Sequence, residues 1–193
     1  MGRPARDAFD VATRQRILDA AEQEFSAAGL AGAGLAAIAD RAGIRAPSIL
    51  HHFASKEALY GSTVALAFGR LAEALGGAMA GRGPLGARVE ALTRAFEGFL
   101  RARPSIALLI LRELMNPRGH GRPILMRQIV PILDAVEGYL KRAGVRRGLP
   151  VREAMLSVVS NGLLRAATGP LREALWGRGD SGPRLARLLF VKE

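Results

Sequence analysis

The segment IADRAGIRAPSILHHF, residues 38–53, confines this chain more tightly than any other. Leu35, Ile38, Ala39 and Ala42 recur three and four residues apart, the spacing that predicts one apolar face on a short helix. Gly43 ends that face and can take the positive φ of a three- or four-residue turn. Pro47 then opens a second helix, because a proline in the first turn gives up only an N–H that would be unpaired anyway. Ile49 and Phe53 are i, i+4 neighbours that, with Ile44, hold the second helix against the first. Ala39 is small enough to let the two cross closely. The outcome is a helix-turn-helix whose opposite face is left to solvent or to a DNA groove.

The flanking sequence supports no sheet, since no alternating apolar run bounded by turns occurs. Ile17, Ala21, Phe25 and Ala28 form one helical stripe, with Gly29 placed to end it in a left-handed conformation. Ser55 is positioned to cap a long helix with Leu59, Thr63, Ala67, Leu71, Leu75 and Met79 stacked at four-residue steps, broken by GRGP at 81–84. Further helices are predicted over about 85–103, 104–116, 122–143, 150–176 and 183–192, punctuated by Pro104, Pro117, Gly144, Pro150 and GRGDSGP. The fold class is all-α.

Composition narrows the function classes. The 193 residues are 49% apolar, enough for a buried core. The absence of cysteine excludes disulfides and thiolate chemistry and fits a reducing cytosol, so a cytoplasmic protein is expected. No apolar run is long enough for a signal peptide or a membrane span, so no membrane partner is expected. A net charge of +11 invites an anionic partner, yet residues 1–60 balance seven basic against seven acidic side chains. The excess therefore lies in the later residues, and only three of the 28 basic side chains in the whole chain are lysines, at 56, 141 and 192.

His51 and His52 are adjacent, so on a helix they point about 100° apart and make poor partners for a metal. At a helix end, either ring can donate to a phosphate oxygen or cap a carbonyl. Lys56, in the first turn of the long helix, is better placed for a phosphate, because backbone N–H groups also point outward there.

Residues 13–60, above all RILDAAEQEFSAAGL, IADRAGI and HHFASKEALY, resemble the DNA-binding domain of the TetR family of bacterial transcriptional regulators. The resemblance implies an N-terminal three-helix helix-turn-helix DNA-binding domain over 1–55, with a flexible arm carrying Arg3 and Arg6. A long helix would join it to a larger helical ligand-binding and dimerisation domain over 56–193. On that pattern Arg45, Ala46, Pro47, Ser48, His51 and His52 occupy DNA-reading positions and Lys56 a phosphate position. The chain departs from the pattern at Ala33 and Gly34, where hydroxyl residues usually open the second helix, and at Ala36 and Ala37, which replace longer polar side chains. Leu50 stands where a tyrosine often projects.

One reader helix covers only a few base pairs, so specificity requires two. Met155, Val159 and Leu163 form one stripe and Leu185, Leu188 and Leu189 another, and these two helices are expected to form the homodimer interface. Gly162 and Ala166 permit close approach on a neighbouring face. Phe99, Arg112, Met115, Asn116, Met126, Tyr139 and Asn161 are candidate contacts for a small-molecule effector, apolar or anionic and amphiphilic to suit the basic excess. Double-stranded DNA is the second expected partner.

Enzyme readings find no support. GDSGP at 179–183 is a fragment of the protease nucleophile segment without a β-barrel to hold its triad. GLAGAG does not match a dinucleotide fingerprint, and no catalytic, metal or cofactor residue is assigned. The competing reading is a helical small-molecule-binding or partner-binding dimer with weak or lost DNA affinity, motivated by the neutral first domain and the missing hydroxyls.

Overall fold

The computed structural model describes residues 4–116, 118–179 and 181–191. Among these the chain forms α1 Pro4–Gly32, α2 Leu35–Ala42, α3 Ala46–His52, α4 Lys56–Ala80, α5 Leu85–Ala102, α6 Pro104–Met115, α7 Gly121–Arg142, α8 Val151–Ala167, α9 Arg172–Trp176 and α10 Gly182–Phe190, and no strand. Two compact units result, one built from the chain up to Ala67 with Leu109–Met126, the other from Phe68–Leu108 with Arg127 onward. The first unit thus takes in the start of α4, the end of α6 and the start of α7, beyond the boundary at residue 55 expected from sequence.

In the first unit the predicted stripes are the buried ones. Ile17, Ala21 and Phe25 of α1, Ile38 of α2, Ile49 of α3 and Leu59 and Tyr60 of α4 are all fully buried. Each large side chain among them contributes about 2 kcal/mol by leaving water. Phe25 and Tyr60 meet edge to face with ring centroids 5.0 Å apart, the arrangement that sets a ring's positive edge on its neighbour's face. Gly43 closes α2 at φ 67°, ψ 40°, in the left-handed region the turn requires. Gly29 has the expected positive φ, 71°, but its ψ of 176° makes a kink, after which helix resumes to Gly32. Helical backbone begins at Pro4, so the segment holding Arg6 is not an irregular arm; Arg3 lies outside the described residues.

The second unit is organised by α5, α8 and α10, which pack on one another. Val89, Leu92, Phe96 and Leu100 of α5 meet Met155, Val158 and Leu163 of α8 and Ala186 and Phe190 of α10 in a common core. Gly162 sets the α5–α8 distance, since a Cβ there would lie 2.7 Å from Phe96 Cε1. Arg152 of α8 pairs with Asp134 and, at 2.6 Å, with Glu137 of α7, and Arg88 of α5 donates to the Tyr139 hydroxyl at 2.7 Å. Several arginines of the basic excess are therefore engaged within this unit.

The helix expected over 150–176 is broken. It ends at Ala167 and gives way to a 3-10 turn, Gly169–Leu171, before α9. Pro170 lacks the N–H needed to continue the ladder and disfavours α geometry at the residue before it, so Gly169 adopts φ 50° and the axis turns. No helix among the described residues is long and apolar enough to cross a membrane.

Candidate nucleic-acid interface

α3 owes its orientation to two anchors. Ile49 is fully buried and Phe53, at the helix end, nearly so, and its N–H closes on the Ile49 carbonyl at 2.9 Å. Between them the outward positions follow from the helical period. Arg45, Pro47, Leu50 and His51 are exposed, and Ala46 and Ser48 half-buried. Arg14 of α1 lies over the Phe53 ring, 4.9 Å from its centroid, and brings a second cation to this end of the unit.

The two histidines part company. His51 is exposed, whereas His52 keeps only a tenth of its side-chain surface and places Nδ1 3.4 Å from the Asp10 carboxylate of α1. His52 thus joins α3 to α1, a contact the motif alone did not disclose. Lys56 is also engaged internally: its ammonium donates to the carbonyls of Ala31 at 3.1 Å and Ala33 at 3.2 Å, holding the end of α1 and the entry to α2. Two of its three N–H groups are spent there, leaving one for a phosphate. Ser55 caps α4 as expected, accepting from the Ala58 N–H at 3.1 Å. α2 begins at Gly34 without a side-chain cap, so its first-turn N–H groups have no hydroxyl to satisfy them.

Residues 17–63 match the profile of bacterial regulatory proteins, tetR family. This is a TetR-family helix-turn-helix domain. The match covers the helix-turn-helix and the first turns of α4. No curated protein matches the chain. Solved structures extend the likeness of the fold beyond the TetR domain. The fatty acid degradation regulator FadR of Bacillus halodurans shares 18% identity, with 92% of this chain and 94% of that one covered and a TM-score of 0.74. FadR of Bacillus subtilis, solved in complex with stearoyl-CoA, also shares 18% identity over 91% and 97% of the two chains, with a TM-score of 0.73. The ketosteroid regulator KstR2 of Mycobacterium tuberculosis, again at 18%, covers 93% and 95% with a TM-score of 0.70. None of these comparisons is with an enzyme.

The candidate effector residues are divided between the two units. Arg112, Met115, Asn116 and Met126 belong to the TetR-containing unit, and Phe99, Tyr139 and Asn161 to the other. Met115 is 83% exposed, and Arg112 donates to the Ser26 and Ala27 carbonyls near the Gly29 kink of α1. Of the residues expected at a dimer interface, Met155 and Leu163 are buried within their own unit, Val159, Leu185 and Leu189 are half-buried, and Leu188 is exposed. The outward stripe of α8 lies one residue along, at Leu156 and Leu164. A period of 3.6 leaves two neighbouring apolar stripes indistinguishable in sequence until one is covered.

Proposed function

We propose that the chain is a ligand-responsive transcriptional regulator, most simply a repressor, that binds a palindromic operator as a dimer and releases it when a small molecule occupies the second unit. The observation that carries this reading is the outer face of α3, where Arg45, Pro47, Leu50 and His51 stand exposed while Ile49 anchors the helix from behind, within a domain of tetR-family type. Arg45 supplies base recognition through a guanidinium that can engage guanine, and His51 supplies a phosphate donor. The uncapped start of α2 and the remaining Lys56 proton offer backbone and side-chain donors to further phosphates.

Dimerisation through α8 and α10 would use Leu156, Leu164 and Leu188, apolar surface that a monomer leaves in water. Two reader helices so paired would reach successive major grooves at a spacing on the order of 34 Å. An effector releases DNA only if it prefers the arrangement in which that spacing is wrong. A protein of similar fold was solved with stearoyl-CoA, and the basic excess of this chain suits an anionic amphiphile of some kind.

Incubating the full chain with a random-sequence duplex pool tests the reading: one palindrome should be enriched, and Arg45→Ala should broaden it. An unenriched pool, together with tight small-molecule binding, would favour the second reading, a ligand-binding dimer with weak DNA affinity. The internal engagement of His52 and Lys56 speaks for that alternative.

A further inference from the structure

We propose that the cavity between α5 and α8 in the second unit is a binding site for a small organic carboxylate with an apolar body. The cavity measures about 190 Å³, below the roughly 300 Å³ of a drug-sized pocket, so it suits a ligand of one ring or a short chain. Its floor is apolar. Leu100 stands on one side, and Gly162 and Ala166 on the other are too small to fill the space between the helices. Gly162 is itself in contact with Phe96, so the small-residue stripe of α8 serves both as the α5 contact and as the wall of the cavity.

The wall is cationic. Among the described residues, Arg101, Arg165 and Arg172 line it against one carboxylate, Glu97. Arg165 is 5% exposed, and its acceptors among the described residues are neutral: the Ser181 hydroxyl at 2.9 Å and the Gly179 carbonyl at 2.5 Å, with Trp176 beneath its guanidinium at 6.0 Å. A buried guanidinium held by dipoles retains its full charge and favours an anion nearby. Arg172, in the first turn of α9, has no acceptor among the described residues, so its fork of donors is free to take a carboxylate through two parallel hydrogen bonds. The broken helix after Ala167 is what brings Arg172 to this wall, since the 3-10 turn redirects the chain there.

This site names the ligand chemistry for the effector half of the reading above and rests on that reading for its biological meaning. Its test contains no DNA, so failure here leaves operator binding standing, and failure to bind DNA leaves the cavity result standing. Calorimetric titration of the full chain with benzoate should give saturable one-to-one binding, with benzyl alcohol and inorganic phosphate each at least about tenfold weaker. Arg172→Gln should weaken benzoate by about tenfold and Arg172→Lys recover part of the loss. Ala166→Leu should abolish binding by filling the cavity, with the thermal midpoint of the protein retained. Absence of benzoate binding, equal affinity for benzoate and benzyl alcohol or phosphate, or wild-type affinity in both Arg172→Gln and Ala166→Leu would overturn the assignment.

Discussion

Arg112 of α6 donates to the backbone carbonyl of Ser26 on α1 at 3.3 Å, joining positions 86 residues apart. The same guanidinium reaches the Ala27 carbonyl at 2.5 Å, and its Cδ lies where a Cβ on Gly29 would come within 3.1 Å. A cation thus sits at the end of the first helical segment of α1, where carbonyls lack intrahelical partners and the helix dipole is negative. Arg112→Ala should lower the stability of the chain by about 1 to 2 kcal/mol, measured by urea denaturation. Arg112→Lys should retain part of that stability through charge alone. An unchanged denaturation midpoint in Arg112→Ala would show that the clasp contributes nothing.

Lys56 and His51 should behave differently on substitution, although both lie at one end of the helix-turn-helix. Lys56→Ala removes two hydrogen bonds to the α1–α2 junction and should cost about 1 to 2 kcal/mol of stability as well as DNA affinity. His51→Ala touches an exposed ring and should lower DNA affinity while leaving stability within about 0.5 kcal/mol. Paired denaturation and anisotropy measurements separate the two; equal stability losses would place His51 in the fold instead of on its surface.

Much of this arrangement was legible in sequence because it depends on local chemistry. Gly43 and Pro47 mark the turn, Ser55 marks the start of α4, and the Ile17–Ala21–Phe25 stripe names the core, each through a rule that operates within a few residues. What was not legible depends on pairs distant in sequence. Nothing near Lys56 announces the carbonyls of Ala31 and Ala33, and nothing near Arg112 announces Ser26. Pro170 did signal the break after α8, because a proline one residue after a glycine is a poor helix interior, but the apolar periodicity on either side masked it.

Tyr60 makes the folded state sensitive to alkali. Its hydroxyl is fully buried beside the Glu113 carboxylate without a hydrogen bond of good geometry, and burial first, then that carboxylate, push its ionisation far above the ordinary value of 10.0. The folded hydroxyl keeps its proton where the unfolded chain loses it, so the stability it confers is complete below pH 10 and falls as pH rises above. The slope from this group is about 1.4 kcal/mol per pH unit. Tyr60→Phe should flatten the alkaline fall between about pH 10 and 12 while changing stability at pH 7 by less than about 1 kcal/mol. Parallel alkaline unfolding curves in both proteins would contradict the assignment.

Close approach at Gly162 should be quantifiable by a mutant cycle. Gly162→Ala puts a methyl group 2.7 Å from Phe96 Cε1 and should destabilise by about 1 to 3 kcal/mol. Phe96→Leu removes the clash along with part of the core, so the double variant should be more stable than the sum of the two single losses implies. Strict additivity would mean that α5 and α8 separate freely at this point.

The central claim is that α3 presents Arg45 and His51 outward to DNA. Fluorescence anisotropy of the enriched palindromic duplex, titrated with the wild type, Arg45→Ala and His51→Ala at two salt concentrations, tests it most directly. The account predicts that Arg45→Ala loses the preference for the palindrome over scrambled duplex, and that His51→Ala binds both more weakly with the preference retained. Wild-type affinity and selectivity in both variants would contradict it.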